Sequence, residues 1–195
     1  MRTDLLISIC LFVAVVQAHA QVTPPMGSEI LLDGKCSDDE WLDAKTIASN
    51  QGHSIRMKRS ERYLYLCITY PEDAGGTFEG YLVTDAQRTP LNIHVSAKIG
   101  EREWQGEDWP EWDWWNAQGW WSTPVRYNSF EAGERRFLRT PAREIQFDLN
   151  HFGRSGWRLM FDVYYGRNDD GTYRTVPLPA GATFADESTW FEFRL

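Results

Sequence analysis

Seven of the ten tryptophans fall in one stretch, Glu103 to Trp121, which reads EWQGEDWPEWDWWNAQGWW. The indoles of Trp104, Trp109, Trp112, Trp114, Trp115, Trp120 and Trp121 are interleaved with Glu107, Asp108, Glu111, Asp113 and Asn116. Neither helical spacing nor strict alternation puts all the indoles on one face, and Gly106, Pro110 and Gly119 interrupt any long regular element. Some of them must therefore lie at the surface or in a loop packed on itself. Large exposed apolar patches mark interaction sites, and this mixture has a definite chemistry. An indole packs against the C–H face of a pyranose ring, while carboxylates and amides at its edge satisfy the ring hydroxyls. Trp109, Trp112, Trp114, Trp115, Trp120 and Trp121 are thus the predicted stacking groups, and Glu111, Asp113 and Asn116 the predicted hydroxyl partners. The opposing reading is a loop that covers the end of a sandwich, with its indoles mostly in the core.

Catalysis finds little support elsewhere. Two carboxylates roughly 5–10 Å apart would suit glycoside hydrolysis, but spacing along the chain defines no such pair. His53, His94 and His151 lack metal-ligand spacing, and neither a G-x-S-x-G nucleophile turn nor a Gly-rich phosphate loop is present. No catalytic residue, metal ligand or cofactor is assigned, and the chain reads as a binding protein more than an enzyme. Asp33-Gly34 is turn chemistry and Ser37–Glu40 reads as a helix cap. A calcium site at Asp33, Asp38 and Asp39 would need six to eight oxygens from several segments.

The chain has 195 residues, 42% hydrophobic and 25% charged, with a net charge of −8. It is apolar enough to bury a core and of a length that suits one domain. Its acidity argues against nucleic-acid or anionic-membrane partners. Arg2, the apolar run Leu5 to Ala18 and the small-x-small site Ala18-His19-Ala20 read as a secretory signal peptide over residues 1–20. The run is too short for a comfortable transmembrane span. Residues 21–195 would form the exported domain, secreted or periplasmic. Cys10 leaves with the signal, so Cys36 and Cys67 remain as an even pair, either a disulfide or two buried thiols.

Periodicity and turn residues then supply the elements that must position the loop. Strands are predicted at Ser28–Leu32, Ser54–Arg59, Tyr63–Tyr70, Gly80–Asp85, Leu91–Ile99, Ala142–Leu149, Trp157–Gly166, Thr172–Pro177 and Thr189–Arg194, with one short helical turn after Ser37. Tyr63–Ile68 and Leu159–Tyr165 are apolar on both faces, as central strands of a sandwich are. Asn168-Asp169-Asp170-Gly171 is a hairpin signal. The predicted class is all-β, a single antiparallel β-sandwich. Trp41 and Trp157 are predicted core residues, and Trp190 could face either way.

Ile30-Leu31-Leu32-Asp33-Gly34-Lys35-Cys36-Ser37-Asp38-Asp39-Glu40-Trp41 resembles the opening of the family 9-like carbohydrate-binding modules, a DOMON-like β-sandwich group. Arg62–Ile68, Leu91–Lys98 and Arg143–Leu149 resemble later strands of the same family in the same order. Gln146–Leu149 lacks the family's usual proline, and the Trp-rich segment is an insertion. The resemblance implies an exported β-sandwich that binds carbohydrate without catalysis. Related haem-binding sandwiches use a histidine and a methionine, for which His94 or His151 with Met57 or Met160 would be the choices here, but no motif surrounds them. Two function classes stay open. One is a carbohydrate-binding module with sugar on the Trp-rich loop. The other is a structural or interaction module whose loop docks on a partner protein.

Overall fold

The computed structural model describes residues 21–71, 76–123, 127–131, 134–137, 140 and 142–195; the predicted signal peptide lies outside them. Its strands are β1 Lys45–Asn50, β2 His53–Arg59, β3 Tyr63–Thr69, β4 Phe78–Val83, β5 Leu91–Val95, β6 Ile99–Glu103, β7 Asp113–Trp114, β8 Trp120–Ser122, β9 Tyr127–Glu131, β10 Glu134–Phe137, β11 Ala142–Asp148, β12 Trp157–Arg167, β13 Tyr173–Leu178 and β14 Phe191–Phe193. A four-residue helix, α1 Leu149–Phe152, is capped by Asp148, whose carboxylate accepts from the Asn150 N–H. One sheet runs β1-β2-β3-β11-β8. The larger runs β13-β12-β4-β5-β6-β7, with β14 also on β12, and β9 and β10 form a separate hairpin. All strand pairs are antiparallel. The all-β sandwich read from the sequence is the observed class.

The apolar pattern explains the two layers. On β3, Leu64, Leu66 and Ile68 enter the main core, where they meet Phe78, Leu82 and Ile93 of β4 and β5 and Leu159, Phe161 and Val163 of β12. Tyr63, Tyr65 and Cys67 point to the other side, so β3 is buried on both faces. Trp157 is in the main core and Trp41 in the second cluster, as predicted. Trp190 is also buried, with Met160 and Val83, on the outer side of the larger sheet. Its neighbours Phe191 and Phe193 go to the core by alternation.

Local differences from the sequence reading have physical causes. Lys45–Asn50 is an edge strand with a mostly exposed, polar sequence, so it lacks an apolar signal. Ser28–Leu32 is not a strand, because the Leu31 N–H is taken by the Glu40 carboxylate instead of a neighbouring strand. Leu91–Ile99 is interrupted by a turn in which Ser96 N–H reaches the Lys98 carbonyl, dividing β5 from β6. The helical turn after Ser37 is closed by one bond, Trp41 N–H to the Ser37 carbonyl, while the Ser37 hydroxyl donates to the Glu40 side chain.

The outer face of the five-stranded sheet is covered by the segment leading to Trp41, and one side chain organises that cover. Glu144 on β11 is fully buried. Its Oε2 accepts from Asp33 N and Gly34 N, both at 2.8 Å, and its Oε1 from Cys36 N at 3.1 Å and Trp41 Nε1 at 3.0 Å. Cys36 is joined to Cys67 of β3 by a disulfide, with Cα atoms 5.9 Å apart. The Asp-Gly turn, the tryptophan and the β11 glutamate are thus one structural unit.

Candidate functional site

The pleat of β7 sorts the Trp-rich loop. Trp114 pairs with Gly100 of β6 and Asp113 with Glu101, so consecutive loop residues face opposite sides of the sheet. Trp114 lies outward across Gly100, where a Cβ would sit 2.8 Å from Trp114 Cε3. Trp112 stacks on Trp114 at 5.4 Å between ring centroids and 27° between planes. His94 of β5 meets both indoles edge-on at 5.4 Å. The Arg102 guanidinium of β6 lies 4.1 Å from the Trp112 ring centre and 5.1 Å from that of Trp109, and the Lys98 ammonium 5.0 Å from that of Trp114. The result is a ladder in which Lys98 lies over Trp114, Trp114 stacks on Trp112, and Arg102 lies between Trp112 and Trp109. It is rooted through Trp109 in Trp104, Tyr81 and Phe184.

A polar row continues from the ladder across the outer face. Cross-strand pairing aligns Asp162 of β12, Glu79 of β4, His94 of β5, Gly100 of β6 and Trp114 of β7. Four strand intervals of about 4.8 Å make the row roughly 19 Å long. Glu79 Oε1 accepts from the Tyr164 hydroxyl at 2.9 Å and Oε2 from the Tyr81 hydroxyl at 3.1 Å, and His94 Nδ1 is 3.7 Å from Oε1. Burial acts to raise the Glu79 pKa, but His94 and the two hydroxyls outweigh it and hold the carboxyl below its usual value. Asp162, desolvated and beside the Glu79 charge, is pushed up to about 6. The Tyr81 and Tyr164 hydroxyls are driven well above the usual phenol value by burial and by Glu79. Tyr173, half exposed, borders Tyr164 with ring centroids 5.2 Å apart.

The predicted hydroxyl partners lie elsewhere. Glu111, Asp113 and Asn116 line a cleft of about 280 Å³ with Glu101, Gln118 and His151, and none of the indoles lines it. Asn116 Nδ2 donates to Asp113 Oδ2 at 2.7 Å, an intraloop bond. The expectation of indoles and loop carboxylates on one platform is therefore corrected: Trp112 and Trp114 face outward, and the carboxylates face the cleft.

Trp120 is a second correction. It is only 3% exposed, packs in the main core, and donates from Nε1 to Glu101 Oε2 at 2.6 Å, so no ligand can stack on it. Its neighbour Trp121 is 44% exposed on β8, pointing off the opposite sheet. Trp115 is the most open indole at 63%, held at φ 66° with its N–H on the Ile99 carbonyl. Trp114 is 39% exposed, while Trp109 and Trp112 are half-buried in the ladder. The segment thus holds both exposed indoles and a core indole.

Glu79, Asn92, His94, Lys98, Arg102, Asp162 and Tyr164 were not assigned to a site from the sequence. Alternation on each strand puts the members of β4, β5, β6 and β12 on one side, but the register that aligns them is a property of the folded sheet. Asp33, Glu40 and Glu144 bring carboxylate oxygens within 4.8 Å of one another. The Glu144 oxygens already accept four N–H groups, and those of Glu40 accept from Leu31 N and Ser37 Oγ. Met57 is in the main core and His94 on the outer face of the opposite sheet, so they do not form an axial pair.

No family model matches the chain, and no curated protein matches it. Among solved structures, the fold is similar to that of a candidate carbohydrate-binding protein from Bacteroides uniformis ATCC 8492, with a TM-score of 0.51 and 11% sequence identity. The match covers 89% of this chain and 98% of that one. At this identity the likeness is one of fold.

Proposed function

We propose that the protein is an exported, non-catalytic carbohydrate-binding protein and that the sugar lies on the outer face of the seven-stranded sheet. Trp114 offers indole surface, and Trp112, held between Arg102 and Trp114, sets the wall. Asp162 and Arg102 supply the acceptor and the donors for hydroxyls. The observation that carries this reading is the row from Asp162 to Trp114, which combines partly exposed hydrogen-bonding groups with an indole on one surface. The opposite sheet's outer face is occupied by the Trp41 segment. The carbohydrate-binding description of the structural neighbour and the resemblance of Ile30–Trp41 to family 9-like modules support the same reading. Export rests on the pattern of residues 1–20.

Tryptophan fluorescence or calorimetry against a panel of soluble glycans tests the proposal. Binding should be lost in Trp114→Ala and kept in Trp121→Ala, because Trp121 points off the other sheet. Binding that depends on Trp121 and not on Trp114 would place the site elsewhere. Silence across the panel with self-association or capture of a defined partner chain would favour the interaction module.

A further inference from the structure

We infer that the glycan taken by this face carries carboxylate groups, as uronic acids do; this rests on the proposed site and names its ligand class. The whole chain is acidic at −8, yet the charged groups that lie over the ladder's indoles are the cations Arg102 and Lys98. The pleat that turns Trp112 and Trp114 outward turns Glu101 and Asp113 away, and Glu111 lies with them along the cleft. Arg102 and Lys98 pack on the indoles, and Arg102 also borders the cleft, with no carboxylate there in ion-pair distance of it among the described residues.

Arg102 is the decisive group. Its Nε donates to Asn92 Oδ1 at 2.8 Å, and Asn92 is itself fully buried with its Nδ2 on the Gly80 carbonyl. Two indoles hold the guanidinium in place. Its Nη1 and Nη2 have no hydrogen-bond partner among the described residues and are not buried. No described carboxylate is within ion-pair distance of it, and both Glu79 oxygens are taken by Tyr81 and Tyr164. A guanidinium fixed in position with two open Nη groups is a preorganised fork for a carboxylate, and little side-chain entropy is lost when it binds. Lys98 adds a second positive charge at the same end. A general polyanion is a poor fit, because Glu79 and Asp162 occupy the far half of the row. The match is an uronate at the ladder, with uncharged sugar along Glu79 and Asp162.

Calorimetry with glycan pairs that share a neutral backbone and differ by one uronate tests this, with sulfated analogues as a third arm. Wild-type protein should favour the uronate-bearing member by about tenfold or more. That preference should shrink as salt rises, while neutral-glycan affinity stays level. Arg102→Lys keeps the charge and removes the fork, so it should lower the acidic-over-neutral ratio about tenfold. If this variant disturbs the ladder, the wild-type salt dependence still decides. Equal or tighter binding of the neutral members through Trp114 would overturn the ligand class and leave the site standing. Preference for sulfated members would overturn the carboxylate. Silence across the whole panel would overturn the site and the ligand class together.

Discussion

Replacing Glu144 by glutamine changes one atom type in a side chain that no solvent reaches, and its cost can be worked from the geometry. The carboxylate accepts four N–H bonds at 2.8–3.1 Å, two on each oxygen. In Glu144→Gln one oxygen becomes an NH₂ group, which cannot accept and which faces two N–H donors. Two charge-assisted bonds are lost, and at about 1.5–3 kcal/mol each the change should destabilise the fold by roughly 3–6 kcal/mol. That is a large fraction of a typical stability of about 5–15 kcal/mol. Urea unfolding followed by far-UV circular dichroism measures it, with the disulfide intact so that the unfolded reference is unchanged. The midpoint should fall steeply while the slope is kept, and Trp41 emission should shift to the red in the native baseline as the Asp33–Trp41 segment loosens. A loss below about 1 kcal/mol with unchanged slope would refute the claim that Glu144 anchors this segment.

Asp162→Asn should stabilise the protein at pH 7. The folded pKa of about 6 lies above the reference 3.8, so the folded state binds the proton more tightly and wild-type stability falls as pH rises through that window. The variant's advantage should therefore shrink below pH 6 and vanish near pH 4; a gain that is constant from pH 4 to 7 would show that desolvation of the Asp162 charge is not its source. Removing the Cys36–Cys67 bond, which spans 31 residues, should cost about 3–4 kcal/mol in the chain-entropy model, measured by unfolding of the Cys36→Ser, Cys67→Ser double variant. Trp115→Gly should leave stability level or higher, since a side chain in the left-handed region costs about 1–2 kcal/mol. A stability loss above 2 kcal/mol in thermal unfolding would mean that the Trp115 indole supports the loop.

How much was legible in the sequence follows from which signals are local. Tyr63–Ile68 shows by composition that both its faces are covered, and the fold indeed places it centrally. Trp41 follows an acidic turn that reads as a helix cap, and Trp157 opens a strongly apolar strand; both are core. Lys45–Asn50 gives no such signal, because an edge strand is held by pairing to β2 instead of by its own apolar face. The loop from Glu103 to Trp121 was readable as an unusual concentration of indoles and carboxylates, but not as a surface.

What the sequence by itself determined is the class of fold, the central strands, the burial of Trp41 and Trp157, and the loop in which a site would be sought. Only the tertiary structure decided which of that loop's side chains share a face. The two-residue pairing of Asp113-Trp114 with Gly100-Glu101 sends the indoles to Arg102 and His94 and the carboxylate to the cleft. The burial of Trp120 depends on β8 joining the opposite sheet, where its indole reaches Glu101 of β6. The physical reason is that strand register and inter-sheet contact are non-local: a shift of one residue would exchange the two faces, and no local property of the loop distinguishes the two outcomes.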